Sequence, residues 1–201
     1  MSRKEGKLYV ITGPSGTGKG CVCKEILKEA ENEFSVSMTT RSAREGETHG
    51  KDYYFVSEEE FLENVEKGNF LEHARVFDNL YGTPRDMVMK QLAKGRNVIL
   101  DIDVQGALQV KKAMPEAILI FLLPPSLEEL RKRLEGRATD AQDVIEKRLG
   151  QALNEIKLIG EYDYYVVNDD IDKAVAEVRS IMTAEKCRVP ERVGDIIKNY
   201  E

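Results

Sequence analysis

The sequence predicts an α/β protein: a three-layer core around a parallel sheet, interrupted by a β-rich insertion and by a helical lid. Three observations carry this. Short, continuously apolar runs at 7–12, 97–102, 117–123 and 164–168 read as core strands buried on both faces, as in a parallel sheet covered by helices. Polar, glycine-punctuated, β-rich sequence fills 35–95, between the first two of these strands. A small-residue break and a long charged helix fill 129–160. The expected unit is a core of 1–34, 96–128 and 161–187, with the insertion at 35–95, the lid at 129–160 and a tail at 188–201 whose structure the pattern leaves open.

Each element has a local reason. KLYVIT (7–12) is apolar and ends in Gly. From Lys19 to about Ala30 the period is helical, with Val22, Ile26 and Leu27 on one face. FSVSMTTR and DYYFV flank a glycine-rich loop in the β-rich region. Ser57-x-x-Glu60 is a capping box, opening a helix that carries Phe61, Leu62 and Val65 and stops near Gly68. FLEHARVF alternates like a half-buried strand. Thr83-Pro84 reads as an N-cap followed by proline at the first helical position, starting a helix to about Lys94. Ser126-x-x-Glu129 caps a helix to about Glu135, GRATD (136–140) breaks the pattern, and polar helix follows over about 140–160. A closing helix is expected over 170–186.

Composition narrows the function. At 201 residues the chain suits one domain with a sizeable core, and 41% hydrophobic with 33% charged residues is ordinary for a soluble protein. No apolar run reaches the roughly 18 residues of a membrane span, and LYVI is too short for a signal peptide, so a cytoplasmic location is expected. Three cysteines, with Cys21 and Cys23 two apart on one helix, do not form a disulfide framework. With only His49 and His73 besides, no zinc site is expected either. A net charge of −6 invites neither nucleic acid nor an anionic membrane. Any positive surroundings for a polyphosphate must then be local, and arginine placement becomes informative.

Gly13-Pro14-Ser15-Gly16-Thr17-Gly18-Lys19 follows a strand and opens a helix, the context that a phosphate-cradling loop requires. Its glycines let backbone N–H groups converge on phosphate oxygens, the helix N-terminus adds a favourable dipole, and Lys19 reaches the outer phosphates. The Ser or Thr that normally follows the lysine and ligates Mg²⁺ is Gly20 here, with Cys21 beyond it; a thiol is a poor ligand for a hard cation. Magnesium would then rest mainly on the ATP phosphates and water. Asp101 or Asp103, at the end of the second core strand, would assist.

Taken singly, Arg41 and Arg44 read as surface charges, Tyr53 and Tyr81 as core, and Glu72 as a solvent-facing position on an alternating strand. Together with the loop they form a larger pattern. TTRxxRxGExxGxDYxFV, FLEHA, YGTP, ILDIDVQG, PPS, RLEGR and VVNDD stand in order behind the phosphate loop. In this combination the chain resembles the guanylate kinases, over nearly its whole length to about residue 186.

The resemblance implies a P-loop nucleoside monophosphate kinase core, a GMP-binding insertion and a mobile lid. It implies transfer of a phosphoryl group from ATP to GMP or dGMP, with Mg²⁺, in purine nucleotide metabolism and GMP recycling. Arg41 and Arg44 would clamp the acceptor phosphate with their forked donors, helped by Tyr53 and Tyr81. Glu72 would accept from guanine N1–H and N2–H₂, with Ser37 and Thr83 as hydroxyl contacts to the base at O6, and Asp103 has two candidate roles, toward the guanine amino group and toward the metal. Gly13–Cys21, Arg133, Asn168 and Asp169 would hold the donor nucleotide. Lys19, Arg44, Arg137 and Arg148 would neutralise the transferring group. Thr83 and Ala138 stand where the family often has Ser and Gly. Three rivals remain: a kinase for another monophosphate, a regulatory nucleotide-binding protein, and a guanylate-kinase-like scaffold that binds phosphopeptides. The intact Gly18-Lys19 and the lid arginines weigh against the last.

Overall fold

The computed structural model describes residues 6–76, 78–136, 142–189, 197 and 200. The chain runs β1 (Leu8–Thr12), α1 (Lys19–Ile26), β2 (Asn32–Phe34), β3 (Met38–Thr39), β4 (Tyr54–Phe55), α2 (Glu58–Glu66), β5 (Phe70–Val76) and β6 (Asn79–Pro84). It continues through α3 (Arg85–Ala93), β7 (Asn97–Asp101), α4 (Val104–Ala113), β8 (Ile118–Leu123), α5 (Leu127–Glu135), α6 (Gln142–Ile156), β9 (Tyr164–Val167) and α7 (Ile171–Cys187).

The core is a parallel sheet in the order β2-β7-β1-β8-β9. Its apolar strands are divided between two faces by the period of two. Tyr9, Ile11, Ile99 and Ile120 pack under α1 and α7 against Val22, Ile26 and Val178. Leu8, Val10, Val98 and Leu119 face the other way, against Val88 and Leu92 of α3 and Ala107 and Val110 of α4. This is the three-layer core that the apolar runs predict. Parallel order also places the ends of β1, β7, β8 and β9 along one edge of the sheet, where α/β proteins bind ligands.

Several sequence expectations need correction. The core sheet has a fifth strand, β2, at its edge. It is only three residues long, and edge position removes the need for an apolar run; Asn32 instead exchanges side-chain bonds with Asn97 at 3.0 Å and the Ile26 carbonyl at 2.9 Å. The first helix stops at Ile26 rather than near Ala30, because residues 27–32 leave it in successive tight turns. Helix α4 had no counterpart in the sequence reading. Thr83 is not an N-cap: it is the penultimate residue of β6, and α3 begins at Arg85 with Pro84 as an N-cap that supplies no side-chain bond. α3, counted with the insertion in the sequence, packs Val88 and Leu92 into the core.

The insertion builds a second sheet in the order β4-β3-β6-β5, closed by a small core of Phe61, Phe70 and Leu80. The capping box holds, with Ser57 Oγ accepting from Glu60 N–H at 3.1 Å. β5 departs from simple alternation. Leu71 is an extra residue between Phe70, opposite Pro84, and Glu72, opposite Thr83, so this stretch carries a β-bulge and Phe70, Leu71 and Glu72 are all buried. Leu71 enters the main core while Phe70 stays in the insertion's own. In the lid, α5 and α6 share a separate cluster of Leu130, Leu134, Ile145, Leu149 and Ala152. Arg137 and Ala138 lie outside the described residues.

Candidate active site

The loop after β1 is held from beneath. Gly13 has φ 140°, and a Cβ there would lie 2.2 Å from the Leu122 carbonyl oxygen; Gly18 has φ 91°, and a Cβ there would lie 2.4 Å from Asn168 Nδ2. Neither position admits a side chain, because β8 and the end of β9 press directly on the loop. Thr17 is buried and donates to the Pro14 carbonyl at 2.9 Å, and Asn168 donates to the Thr17 carbonyl at 2.7 Å. Lys19 Nζ folds over the loop onto the Gly13 and Pro14 carbonyls, at 2.6 and 3.2 Å. Gly18 caps α1 without a side-chain bond, so the N–H groups at that end suit an anion.

Asn168 is therefore buried under the loop and braces it, a role the sequence did not reveal. Asp169 is exposed, its Oδ1 accepting from the Asp170 N–H at 2.8 Å. Cys21 is exposed, whereas Cys23 is buried and its thiol is pushed up to about 12 by that burial, which leaves it a packing residue.

Asp101 ends β7 beside this loop. Its Oδ2 lies 4.0 Å from where a Cβ on Gly20 would stand. Burial raises its pKa while Lys19 pulls it back, so the two groups share one electrostatic environment. Asp103 does not end the strand. It is the N-cap of α4, its Oδ1 accepting from the Gly106 N–H at 2.8 Å.

Within the insertion, Glu72 is buried, and its Oε1 accepts from the Thr83 hydroxyl at 2.6 Å. This corrects the solvent-facing reading of that position; the bulge in β5 is the physical reason. Burial raises its pKa, the Thr83 hydroxyl lowers it, and Asp103 adds to the rise. Its Oε2 lies 3.2 Å from where a Cβ on Gly106 would stand, so Gly106 makes room for this carboxylate. The single hydroxyl proton of Thr83 is committed to Glu72 here, so a contact from Thr83 to guanine O6 requires the hydroxyl to turn.

The clamp residues converge on the loop between β3 and β4. Arg41 lies with its Cζ 5.5 Å from the Tyr53 ring centre, and the Tyr53 and Tyr81 rings stand edge to face at 6.0 Å. Arg44 is exposed, with its backbone N–H fixed by Glu47 at 2.8 Å. Ser37 is half-buried, three residues beyond the end of β2, and its carbonyl accepts from the Tyr54 N–H at 2.9 Å. From the lid, Arg148 Nη1 reaches Ser15 Oγ of the phosphate loop at 3.4 Å. Arg133 pairs with Glu129 at 3.1 Å, one helical turn away.

Sequence reasoning missed three contributors. Gly106 lies within DVQG with no local signal for its packing role. Glu155, on α6, faces the cleft: burial raises its pKa, with Lys19 opposing and Asp103 adding to the rise. It lines, with Asp103, Gln105, Gln151 and Asn154, a cavity of about 220 Å³ between α4 and α6. Glu47 was visible in the REGE stretch but was given no task.

The core thus carries a phosphate loop with Lys19 and Asp101, and the insertion carries a buried carboxylate with arginines and tyrosines; Asp103 lies in the electrostatic surroundings of both Glu72 and Glu155. A family model described as guanylate kinase matches residues 5–185. The chain is 52% identical over 194 residues to the guanylate kinase of Clostridium tetani, covering 96% of this chain and 93% of that one. It is 50% identical over 188 residues to that of Caldanaerobacter subterraneus subsp. tengcongensis, covering 93% and 91%. The crystal structure of guanylate kinase from Anaplasma phagocytophilum superposes with a TM-score of 0.72 at 40% identity, over 94% of this chain and 90% of that one. The chain belongs to the guanylate kinase family of nucleoside monophosphate kinases.

Proposed function

We propose that this chain transfers the γ-phosphoryl group of ATP to GMP or dGMP, giving ADP and GDP or dGDP, as a cytoplasmic enzyme of purine nucleotide recycling. The observation that carries the choice of acceptor is Glu72, a buried carboxylate on the insertion. Guanine presents N1–H and N2–H₂ side by side as donors to such a group. Adenine offers an acceptor at N1, which would leave the carboxylate facing a lone pair, a mismatch that discriminates by about 10²–10⁴-fold. Location rests on three free cysteines and on the absence, among the described residues, of any helix long and apolar enough to cross a membrane.

The nucleophile is an oxygen of an already anionic phosphate, so transfer needs no strong general base. The protein's work is positioning and charge neutralisation. The loop N–H groups and Lys19 hold the donor phosphates, Lys19 turning from the Gly13 and Pro14 carbonyls as ATP enters. Arg41, Arg44, Tyr53 and Tyr81 hold the acceptor phosphate in line with them. Arg148 arrives from the lid, where its bond to Ser15 already spans the two parts; Arg137 is assigned the same task by the family pattern. Arg133 and the exposed Asp169 would flank the donor nucleotide, while Asn168, buried under the loop, would hold the loop in shape for it. Closure excludes water that would otherwise take the phosphoryl group.

Mg²⁺ would neutralise charge on the ATP polyphosphate. The residues fit an ion held mainly by phosphates and water. Asp101 is the nearest carboxylate, Asp103 is engaged at the start of α4, and the described residues contain no group of three or more His, Cys, Asp or Glu that could hold a metal. The test is a coupled ADP-release assay with ATP·Mg²⁺ across the common monophosphates. Turnover of GMP and dGMP far above AMP and UMP supports the reading, and equal turnover of AMP or UMP sinks it.

A further inference from the structure

The loop between β3 and β4 holds a carboxylate that the site described above leaves without a task. We propose that Glu47 is a positioning residue for the acceptor: it grips Arg41 end-on and closes the turn bearing Arg44, so that both present their phosphate-binding groups before the nucleotide arrives. This rests on Arg41 and Arg44 being the acceptor-phosphate clamp.

The donor inventory of Arg41 decides how the grip works. A guanidinium carries five N–H donors. Nη1 donates to Glu47 Oε2 at 3.0 Å and to the Ser42 carbonyl at 2.8 Å, and Nη2 donates to Glu47 Oε1 at 2.8 Å. These contacts leave the Nε–H and the second Nη2–H, and the Tyr81 side chain, itself assigned to the clamp, hydrogen-bonds the same guanidinium. Those two N–H groups lie on the side edge of the fork, the edge that can take two oxygens of a phosphate. The grip therefore fixes the guanidinium plane without using the edge that the ligand needs. Tyr53 and Phe55 flank the same group, with ring centres 5.5 and 5.8 Å from Cζ.

The same carboxylate sets the second arginine. Glu47 Oε2 accepts from the Arg44 backbone N–H at 2.8 Å, and the Glu47 N–H donates to the Arg44 carbonyl at 3.1 Å. One side chain thus closes the turn 44–47 and orients the clamp on either side of it. Arg41 and Glu47 are largely shielded, their side chains 15% and 21% exposed, so the pair is less screened than a surface ion pair. Had the phosphate needed the end-on edge, Glu47 would be a competitor, and removing it would tighten acceptor binding.

Calorimetric titration with GMP and, separately, with guanosine, together with steady-state kinetics on Glu47→Gln, Glu47→Ala and Arg41→Ala, tests this. Gln keeps one acceptor oxygen without the charge, so the expected series is graded. Glu47→Gln weakens GMP binding about tenfold and Glu47→Ala more, while guanosine affinity and the KM for ATP stay at wild-type values. Unchanged or tighter GMP binding in Glu47→Gln overturns the proposal, as does an equal loss for guanosine, which lacks the phosphate. Arg41→Ala separates the premise: if it binds GMP as wild type does, the clamp reading itself fails. If Arg41→Ala is impaired and Glu47→Gln is not, only the role of Glu47 falls.

Discussion

Replacing Glu72 by Gln changes one buried oxygen for an NH₂ at nearly constant shape. In the empty protein the change removes a charge that burial and Asp103 both disfavour. The sign follows from linkage. A carboxyl whose folded pKa is raised loses stability as pH rises through the window from its unfolded to its folded value, so at neutral pH the neutral amide is no less stable than the carboxylate. The Thr83 hydroxyl, 2.6 Å from Oε1, can still donate to the amide oxygen. With GMP the outcome reverses. The carboxylate would accept from N1–H and N2–H₂, and charge-assisted bonds are worth about 1.5–3 kcal/mol each. Gln offers one oxygen, shared with Thr83, and an NH₂ that meets guanine's own donors. A loss of about 3–5 kcal/mol lowers kcat/KM for GMP by about 10²–10⁴-fold. The same NH₂ can donate to adenine N1 while the oxygen accepts from N6–H, so AMP improves. The assay is ADP release with GMP and with AMP, beside the unfolding midpoint by scanning calorimetry. A GMP-to-AMP ratio within about threefold of wild type, in a variant that melts normally, would refute the assignment of base recognition to Glu72.

Asn168→Ala removes the bond to the Thr17 carbonyl and leaves that buried group unpaired, which costs about 1–3 kcal/mol; the KM for ATP should rise while that for GMP holds, and parallel rises would contradict a bracing role confined to the loop. Gly20→Ser restores a hydroxyl where a Cβ meets nothing closer than Asp101 Oδ2 at 4.0 Å. Its half-saturating Mg²⁺ concentration should fall in a magnesium titration of activity, and no change would mean that the hydroxyl position is not used here. At the opposite end of β1, buried Glu185 accepts from Lys7, Tyr164 and Arg188. Burial opposes its ionisation, but the hydrogen bonds from Tyr164, Arg188 and Lys7 outweigh it and hold its pKa below the usual range. Its stabilisation is therefore present above the ordinary glutamate pKa and fades as pH falls through the folded value. Glu185→Gln should cost about 1–3 kcal/mol at neutral pH by denaturant melts, the deficit shrinking in acid with kinetics untouched. A deficit constant with pH would show that the charge is not what matters.

The phosphate loop was legible because its chemistry is local: glycines, a lysine and the strand–helix context are all within one turn of chain. The core strands were legible because burial on both faces imposes apolar runs. β2 was not, since three residues at a sheet edge need no such run, and Asn32 holds its place through polar bonds instead. α4 is hidden because VQGALQVKKA carries a glycine in its first turn that disfavours helix locally, a cost tolerated so that Gly106 can lie against Glu72. Thr83 looked like a helix cap because Thr-Pro is a common helix start; its hydroxyl is drawn instead to a partner eleven residues earlier, across a strand pair. Glu72 itself could be placed only through the wider pattern. Its burial depends on a shift of register that no alternation of residue types announces.

That shift separates the seat of the carboxylate from the packing beside it. Leu71 is the extra residue between Phe70 and Glu72, with Leu71 itself in the main core and Phe70 in the insertion's. The carboxylate's place rests on its pairing across to β6, and the extra residue serves the core. Deleting Leu71 would leave Phe70 opposite Pro84 and Glu72 opposite Thr83 as consecutive pairs, so the carboxylate would keep its partner while the main core lost a buried side chain. Loss of that one residue would therefore strike stability before it touched base choice.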